Sequence, residues 1–309
     1  MSSPGQHHEL LMKVAPWSGY VSKGIEVDFL GVKTRSSYST RIMPVQSDGQ
    51  STSSLPPFDE EYLEWVDLFE SIASAKACFT MIELGAGYGR WLVRAAFAVR
   101  WFGNIPCKLV GVEAEPTHFE WMKQHFSDNG IGLEDHKLVR AAVSRKDGGT
   151  WFIVGAAGEW YGQRSVLLED FWQFAKQRLR KSPKKREGER RNTQTKEPPM
   201  YHLQRVKAVS LRSLLRPLKQ VDLIDLDVQG AELEVLTAAS PDLEEKVKRV
   251  HIGTHNHEVE SGLRSLFGGL GWRCRFDFPL QSTCETSWGA IRFDDGVQSW
   301  INPRFLDPS

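Results

Sequence analysis

A glycine triplet at the end of an apolar run is the segment of this sequence best suited to hold a ligand. Gly85, Gly87 and Gly89 follow the strand-like run Cys78–Leu84 and open a helix-like stretch that reaches Trp101. Glycines let a ligand approach the backbone closely, and the start of a helix offers free N–H groups. The loop therefore predicts binding of a nucleotide-type ligand, with a plain strand-to-helix turn as the alternative.

The residues beside the triplet bear on the charge of that ligand. A dinucleotide fingerprint, G-x-G-x-x-G, would need glycine at position 90, which Arg90 occupies. Glu83, at the end of the apolar run, would repel a phosphate and suits a cationic group such as the amino group of methionine. The loop thus favours a zwitterion over a pyrophosphate, and an NAD-dependent oxidoreductase becomes a minor alternative.

A second carboxylate ends the next buried-strand pattern, which begins at Lys108. This residue, Glu113, follows Gly85 by 28 positions. A carboxylate there can accept hydrogen bonds from the ribose hydroxyls of an adenosine ligand, a device that dehydrogenases and methyltransferases share. Glu115 is the weaker candidate for this role, and a solvated strand-end carboxylate is the alternative. We predict that Glu113 binds the cofactor.

The segment Val221–Glu232 interleaves apolar and acidic residues. Asp225 and Asp227 share one face of a strand by the two-residue period. Carboxylates on a buried strand are costly unless they lie at its carboxyl end, where open α/β sheets bind ligands. We predict that Asp227 is catalytic; the N-cap of the next helix is an alternative or additional role.

Histidines follow a further strand pattern, in the segment His251–Glu258. His255 is a candidate general base, because an imidazole beside carboxylates can exchange a proton near neutral pH. Asp227, Glu232 and His255 could together hold a divalent metal ion, but their spacing is not diagnostic of one. A structural histidine is the alternative.

Strand and helix patterns alternate around these segments. Apolar residues repeat with helical spacing from Phe58 to Ile72, and a further helix is predicted from Phe119 to Phe126. Further strand candidates are Leu138–Ser144, Trp151–Val154, Val221–Val228 and Val247–Ile252. The alternation predicts an α/β fold of Rossmann-like type, with helices on both faces of a largely parallel sheet.

Charge is unevenly distributed along a chain that has 39 basic and 39 acidic residues in all. Residues 176–196 contain ten basic and two acidic residues, so the remainder carries 29 basic and 37 acidic ones. A nucleic-acid-binding or RNA-modifying protein that uses this run is the main alternative to an enzyme. The run has no interleaved aromatics, which disfavours nucleic acid as a partner. Prolines and a glycine interrupt it, and we predict a mobile basic insertion at 176–199.

The remaining features are those of an ordinary globular protein. Residues 1–57 are weakly patterned and are interpreted as an N-terminal extension and linker before the main domain at 58–309. The four cysteines are scattered, which suits a reducing compartment, and no segment resembles a signal peptide or membrane span. We therefore predict a cytoplasmic protein without a membrane partner. Nothing in the sequence indicates an oligomeric state.

Taken together, these segments resemble the FkbM family of S-adenosylmethionine-dependent methyltransferases, over roughly residues 78 to 270. The resemblance rests on MIELGAGYGRW, GVEAEPTHF, LVRAAVSRKDGG and, most specifically, LIDLDVQGAELEVL. It implies the class I methyltransferase fold, a seven-stranded sheet whose last strand is antiparallel. The implied reaction is O-methylation of a small-molecule or glycan acceptor, commonly a sugar or a natural-product scaffold.

Residue by residue, the resemblance assigns S-adenosylmethionine to the loop and strand ends. Glu83 and the three glycines take the methionine and loop positions, Glu113 takes the ribose position, and Asp227 lies beside the methyl group. Members often carry Lys two residues before that aspartate and Glu two residues after it. Here these residues are Asp225 and Gln229. The electrostatics of the active site therefore differ from the family pattern, and the base and the acceptor stay open.

Overall fold

A computed structural model describes residues 5–38, 45–155 and 202–306. The basic segment 176–199 lies outside the described residues. The helices are α1 (Glu9–Met12), α2 (Glu61–Ser74), α3 (Arg90–Trp101), α4 (Pro116–Asp128), α5 (Leu211–Leu215), α6 (Glu232–Ala238), α7 (Ser240–Lys246) and α8 (His257–Gly269). The strands are β1 (Ser18–Val21), β2 (Ile25–Val27), β3 (Lys33–Arg35), β4 (Gly49–Thr52), β5 (Phe79–Leu84), β6 (Cys107–Glu113), β7 (Lys137–Arg140), β8 (Ala142–Ser144), β9 (Gly148–Val154), β10 (His202–Ser210), β11 (Leu223–Leu226), β12 (Arg249–Thr254), β13 (Arg273–Phe278), β14 (Ser282–Thr286), β15 (Gly289–Phe293) and β16 (Gly296–Ile301).

Seven strands form the central sheet, in the order β13-β16-β12-β11-β5-β6-β7. Strand β16 runs antiparallel to both of its neighbours, and the pairings from β12 to β7 are all parallel. This is the predicted seven-stranded Rossmann-like sheet with its last strand reversed. Because parallel strands end at the same edge, the carboxyl ends of β5, β6, β11 and β12 meet along one side of the sheet.

Helices cover both faces of the sheet, as predicted. Alternate strand residues point to opposite faces, so each strand contributes to two cores. One core lies under α2, α3 and α4 and includes Phe79 and Met81. The other lies under α5 to α8 and includes Ile82 and Ile252. The buried strands are therefore nearly continuous apolar runs, which is why the sequence patterns at these positions were clear.

Residues of the N-terminal extension pack on the first of these cores. Leu11, Phe29 and Val32 are buried in the same cluster as Phe69 of α2. The stretch interpreted as a linker also contributes a strand, since β4 pairs with β1. The N-terminal residues thus cover α2, the helix that lies over the middle of the sheet.

Two of the predicted strands differ from their expected places. The run Leu138–Ser144 divides into β7, in the central sheet, and β8, which pairs with β10. The run Trp151–Val154 belongs to β9, the other neighbour of β10, and so joins a separate three-stranded sheet. An apolar strand pattern indicates burial but not the partner strand, so the sequence could not assign these runs to a sheet. In the described part of the chain, no helix is both long and apolar enough to cross a membrane.

The packing of α2 predicts the effect of a core truncation. Phe69 is fully buried and makes edge contacts with Trp65 and Phe102. Replacing it with alanine should lower the free energy of unfolding by about 3–5 kcal/mol, because apolar contact is lost and a cavity remains. Trp101→Ala is the control, since Trp101 is 48% exposed and its loss should cost less than about 1 kcal/mol. Urea denaturation followed by circular dichroism measures both; equal losses would contradict the packing described for α2.

Candidate active site

The glycine loop between β5 and α3 adopts the backbone that its composition predicts. Gly85, Gly87 and Gly89 have φ angles of 83°, 53° and 70°, a region that residues with a Cβ rarely adopt. A Cβ on Gly85 would lie 1.8 Å from the backbone oxygen of Asp227. Any side chain there would separate the β5 and β11 strand ends. The loop thus brings the predicted cofactor residues against the Asp227 segment.

Glu113 ends β6 beside the loop. Its two carboxylate oxygens accept hydrogen bonds from the backbone N–H groups of Gly87 and Glu115, both at 2.7 Å. Burial raises the pKa of Glu113 to about 7, against the lowering effect of these N–H groups. Each oxygen has a further lone pair for a ligand hydroxyl. Glu115 instead caps α4 by accepting from His118 N–H at 2.6 Å, so Glu113 is the better placed of the two ribose candidates.

A row of polar side chains crosses three adjacent strands of the sheet. In the register, Glu83 pairs with Asp225, and Asp225 pairs with His251. All three are at least 95% buried and lie on the face covered by α2. From that helix, Glu64 donates a hydrogen bond to Asp225. Burial and the neighbouring carboxylate Asp225 raise the pKa of Glu64 and of Glu83 well above the ordinary value for glutamate.

Basic groups limit the negative charge of this row. The Nη1 atom of Arg90 lies 2.9 Å from Glu61, and the positive charge of Arg90 opposes the rise in the pKa of Glu64 and Glu83. His251 Nδ1 lies 2.7 Å from Asp67, which also accepts a short hydrogen bond from Arg249. Burial raises the pKa of Asp225, and the neighbouring His251 opposes that rise. The row therefore combines three carboxyl groups with one imidazole.

Sequence reasoning did not find Glu64 or Asp67. Both lie on α2, among the apolar residues whose spacing identified the helix. Asp67 is completely buried, and a carboxylate inside a helix at that depth is a signal of a buried partner. The partners, Arg249 and His251, are more than 180 residues away, so only the fold identifies them.

Asp227 follows β11 and is held by a histidine. Its Oδ1 atom lies 3.2 Å from His255 Nε2 and 3.1 Å from Gln229 Nε2. On the other side of the ring, His255 Nδ1 lies 3.0 Å from Glu232 Oε1. Glu232 also accepts from the N–H of Gly230 at 2.9 Å, which closes the turn before α6. Asp227 itself does not cap this helix, whose N-cap is Ala231.

The charges of this triad follow from its contacts. Burial by itself would lower the pKa of His255, but the carboxylates of Asp227 and Glu232 raise it to about 10. His255 is therefore protonated near neutral pH and has no free lone pair there. Burial would raise the pKa of Asp227, but hydrogen bonds from His255 and Gln229 outweigh it and lower that pKa. Asp227 is an ionised carboxylate whose side chain is 57% exposed.

A cleft of about 760 Å³ joins these residues at the carboxyl ends of the central strands. The predicted residues on its wall are Glu83, Gly85, Gly87, Glu113 and Asp227. His255 and Glu232 are not part of this wall and lie behind Asp227. Carboxylates dominate the charged groups of the lining, and Ala142, Val143 and Phe152 contribute part of its apolar surface. The cleft has the size of a pocket for a nucleoside-type ligand and a second molecule.

Two sets of side chains approach the geometry of a metal centre. One ligand atom each from Asp227, Glu232 and His255 lie within 4.8 Å of one another, and the same is true of Glu64, Asp225 and His251. In the first set, both ring nitrogens of His255 already bond to carboxylates. A metal would have to displace a proton that these two carboxylates hold strongly. The first set, which the sequence indicated, is therefore better described as an ion-paired triad.

The triad predicts an unusual histidine titration. Because the pKa of His255 is raised in the folded state, the protonated ring stabilises the fold fully below pH 6.5. That contribution is lost as the pH rises from 6.5 through about 10. Nuclear magnetic resonance of the ring nitrogens should give a midpoint near 10, and Glu232→Gln should lower it. Glu234→Gln, on the exposed side of α6, is the matched control. A His255 midpoint near 6.5 would contradict the ion-paired triad.

Known proteins resemble this chain over most of its length. Residues 83–270 match the family model described as "Methyltransferase FkbM domain". A protein of Jannaschia sp. (strain CCS1) named "Putative methyltransferase" is 26% identical over 289 residues, which are 93% of this chain and 95% of that protein. The solved structure of methyltransferase FkbM from Methylobacillus flagellatus KT aligns with 78% of this chain and 52% of its own, at 7% identity and a TM-score of 0.41. A precorrin-6y C5,15-methyltransferase from Geobacter metallireducens GS-15 aligns with 78% of this chain and 87% of its own, at 10% identity and a TM-score of 0.40.

The family match covers more than half of the chain and includes the glycine loop, Glu113 and the Asp227 segment of the cleft. It begins at Glu83, before the glycine loop, and extends beyond Asp227 and His255 into α8. The resemblance read from the sequence motifs is confirmed by this match. The chain belongs to the FkbM methyltransferase family, and it is a methyltransferase.

Proposed function

We propose that this methyltransferase uses S-adenosylmethionine to methylate a hydroxyl group of a sugar, glycan or natural-product acceptor. The observation that carries the proposal is that one cleft joins the glycine loop and Glu113 to the Asp227 carboxylate. A cofactor bound at the loop would direct its reactive group toward the strand end that bears Asp227. Methyl transfer needs mainly this alignment, because the donor is already activated.

The residues of the cleft fit S-adenosylmethionine. Glu113 can accept hydrogen bonds from the ribose hydroxyls, and Phe152 with its apolar neighbours suits the adenine ring. Glu83 and Asp225, whose pKa values burial raises, would ionise beside the amino and sulfonium groups and offset their positive charge. When bound, the cofactor supplies an activated methyl group. The same carboxylates oppose a pyrophosphate, so an NAD-dependent oxidoreductase is not supported.

The catalytic proposal rests on Asp227. Its exposed carboxylate can accept a hydrogen bond from an acceptor hydroxyl and orient the attacking oxygen. An alcohol oxygen becomes far more acidic as it gains a methyl group, so a carboxylate of lowered pKa can take the proton at that stage. The proton then passes from Asp227 to solvent, because this side chain is open to the cleft.

His255 has a different role in this proposal from the one expected of a general base. Protonated and out of the cleft wall, it cannot accept the acceptor's proton at neutral pH. It holds Asp227 in place and favours the ionised carboxylate. Glu232 in turn orients the ring through Nδ1. We therefore propose Asp227 as the catalytic residue and His255 as a positioning residue.

Binding of the cofactor should depend on Glu113. Glu113→Ala should weaken the affinity for S-adenosylhomocysteine by about 10- to 100-fold, since hydrogen bonds to a charged group are lost. Calorimetric titration measures this, with the exposed Glu134→Ala as the control and thermal melting as the check on folding. Titration of the wild-type protein with NAD tests the oxidoreductase alternative. A protein that binds NAD but does not bind S-adenosylhomocysteine would overturn the cofactor assignment.

The Asp227 side chain should matter more for turnover than for the affinity of the protein for its cofactor. Asp227→Asn keeps the shape but removes the charge, and should lower kcat about 100-fold or more while the affinity for S-adenosylhomocysteine changes little. The assay follows S-adenosylhomocysteine release with a panel of sugars and hydroxylated natural products, and mass spectrometry identifies the methylated atom. Glu258→Gln, an exposed carboxylate after the next strand, is the matched control. Full turnover by Asp227→Asn, or methylation of nitrogen alone, would contradict the proposal.

A further inference from the structure

The cluster of Glu64, Asp225 and His251 is a second group of potential ligands, and none of the three takes part in the proposed proton transfer, although Asp225 also faces the proposed cofactor position. It lies on the floor of the cleft, where α2 crosses β11 and β12. One ligand atom from each side chain lies within 4.8 Å of the other two. All three residues line the cleft, so an ion held there would also face a bound molecule.

The orientation of His251 is that of a metal ligand. Its Nδ1 atom is committed to Asp67 Oδ2 at 2.7 Å, and Asp67 is fixed in turn by Arg249. Among the residues that the structure describes, none forms a hydrogen bond with Nε2, and His251, which is 4% exposed, lines the cleft. A histidine that binds a metal through one nitrogen commonly donates the other N–H to a carboxylate. Here Asp67 is that carboxylate, and its bond to Nδ1 leaves Nε2 as the ring nitrogen available to a metal.

A cation could replace the proton that Glu64 shares with Asp225 at this position. Glu64 and Asp225 face each other, and Glu83 is adjacent to Asp225 in the register. The positive charge of Arg90 opposes the raised pKa values of Glu64 and Asp225, but this guanidinium is itself paired with Glu61. Like charges at this depth are unfavourable unless a proton or a positive ion lies between them. The triad of His255 differs, because both of its ring nitrogens are already bonded.

We propose that Glu64, Asp225 and His251 bind one divalent transition-metal ion in the floor of the cleft. Two carboxylates and one imidazole suit Mn²⁺, Fe²⁺ or Zn²⁺ better than Mg²⁺, which favours oxygen ligands alone. Three protein ligands leave positions open to the cleft. If the proposed function is correct, an acceptor oxygen can bind at an open position and be held beside Asp227; metal binding itself does not depend on that function.

Mn²⁺ is the probe for this site. The untagged protein, freed of metal with a chelator, should bind one Mn²⁺ per chain by calorimetry. Pulsed electron paramagnetic resonance should detect one coordinated imidazole nitrogen. Glu64→Gln, Asp225→Asn and His251→Gln should each weaken binding by about 10-fold or more, and His251→Gln should remove the nitrogen signal. The wild-type measurement is informative even if one variant fails to fold.

Two further variants separate this site from other carboxylates of the cleft. Glu26→Gln changes an exposed carboxylate of the same wall and should leave the affinity for Mn²⁺ unchanged. Asp227→Asn changes the other candidate set of metal ligands and should also have little effect on the affinity for Mn²⁺. Absence of binding below about 1 mM Mn²⁺, absence of the nitrogen signal, or loss of binding in Asp227→Asn but not in Asp225→Asn would overturn the proposal. None of these measurements uses cofactor or acceptor, so failure here is distinct from failure of the proposed methyl transfer.

Discussion

The register of three parallel strands is the constraint on which the cleft depends. Hydrogen bonding between β5, β11 and β12 places Glu83, Asp225 and His251 side by side. Their side chains point to the same face because the strands are in register, and that face is covered by α2. A shift of one residue would move each polar group into the apolar core of the opposite face. The strand register therefore determines both the position of the charges and the stability of the sheet.

Helix α2 completes this arrangement from above. Its apolar residues fill the first core, while Glu64 and Asp67 reach the polar row. Asp67 is buried with Arg249 and His251 as its partners, so removal of one partner would leave a charge without compensation in a medium of low polarity. The N-terminal residues pack on the other side of α2. Parts of the chain that are distant in sequence thus hold the floor of the cleft.

At the rim of the cleft, in the Asp227 segment, one side chain serves two purposes. Glu232 accepts N–H groups of the turn before α6 and also orients His255. A single buried carboxylate thereby joins the start of a helix to the charge state of a histidine. The result is an exposed, ionised Asp227 beside a protonated imidazole that does not itself reach the cleft wall. Gly85 packs directly against the backbone of Asp227, and this close approach keeps the rim beside the cofactor loop.

Local patterns in the sequence were sufficient for the fold class, the glycine loop and the strand-end carboxylates Glu83, Glu113 and Asp227. These features depend on neighbours within a few residues: apolar runs form buried strands, and glycines permit the positive φ angles of the loop. The role of His255 was different, because its charge depends on contacts with Asp227 and Glu232 that no periodicity encodes. The cluster of Glu64, Asp225 and His251 was not visible at all, since it joins a helix to two strands across nearly 190 residues. Tertiary structure decided these points, because the protonation and ligand geometry of a side chain depend on which distant charges the fold brings within a few ångströms.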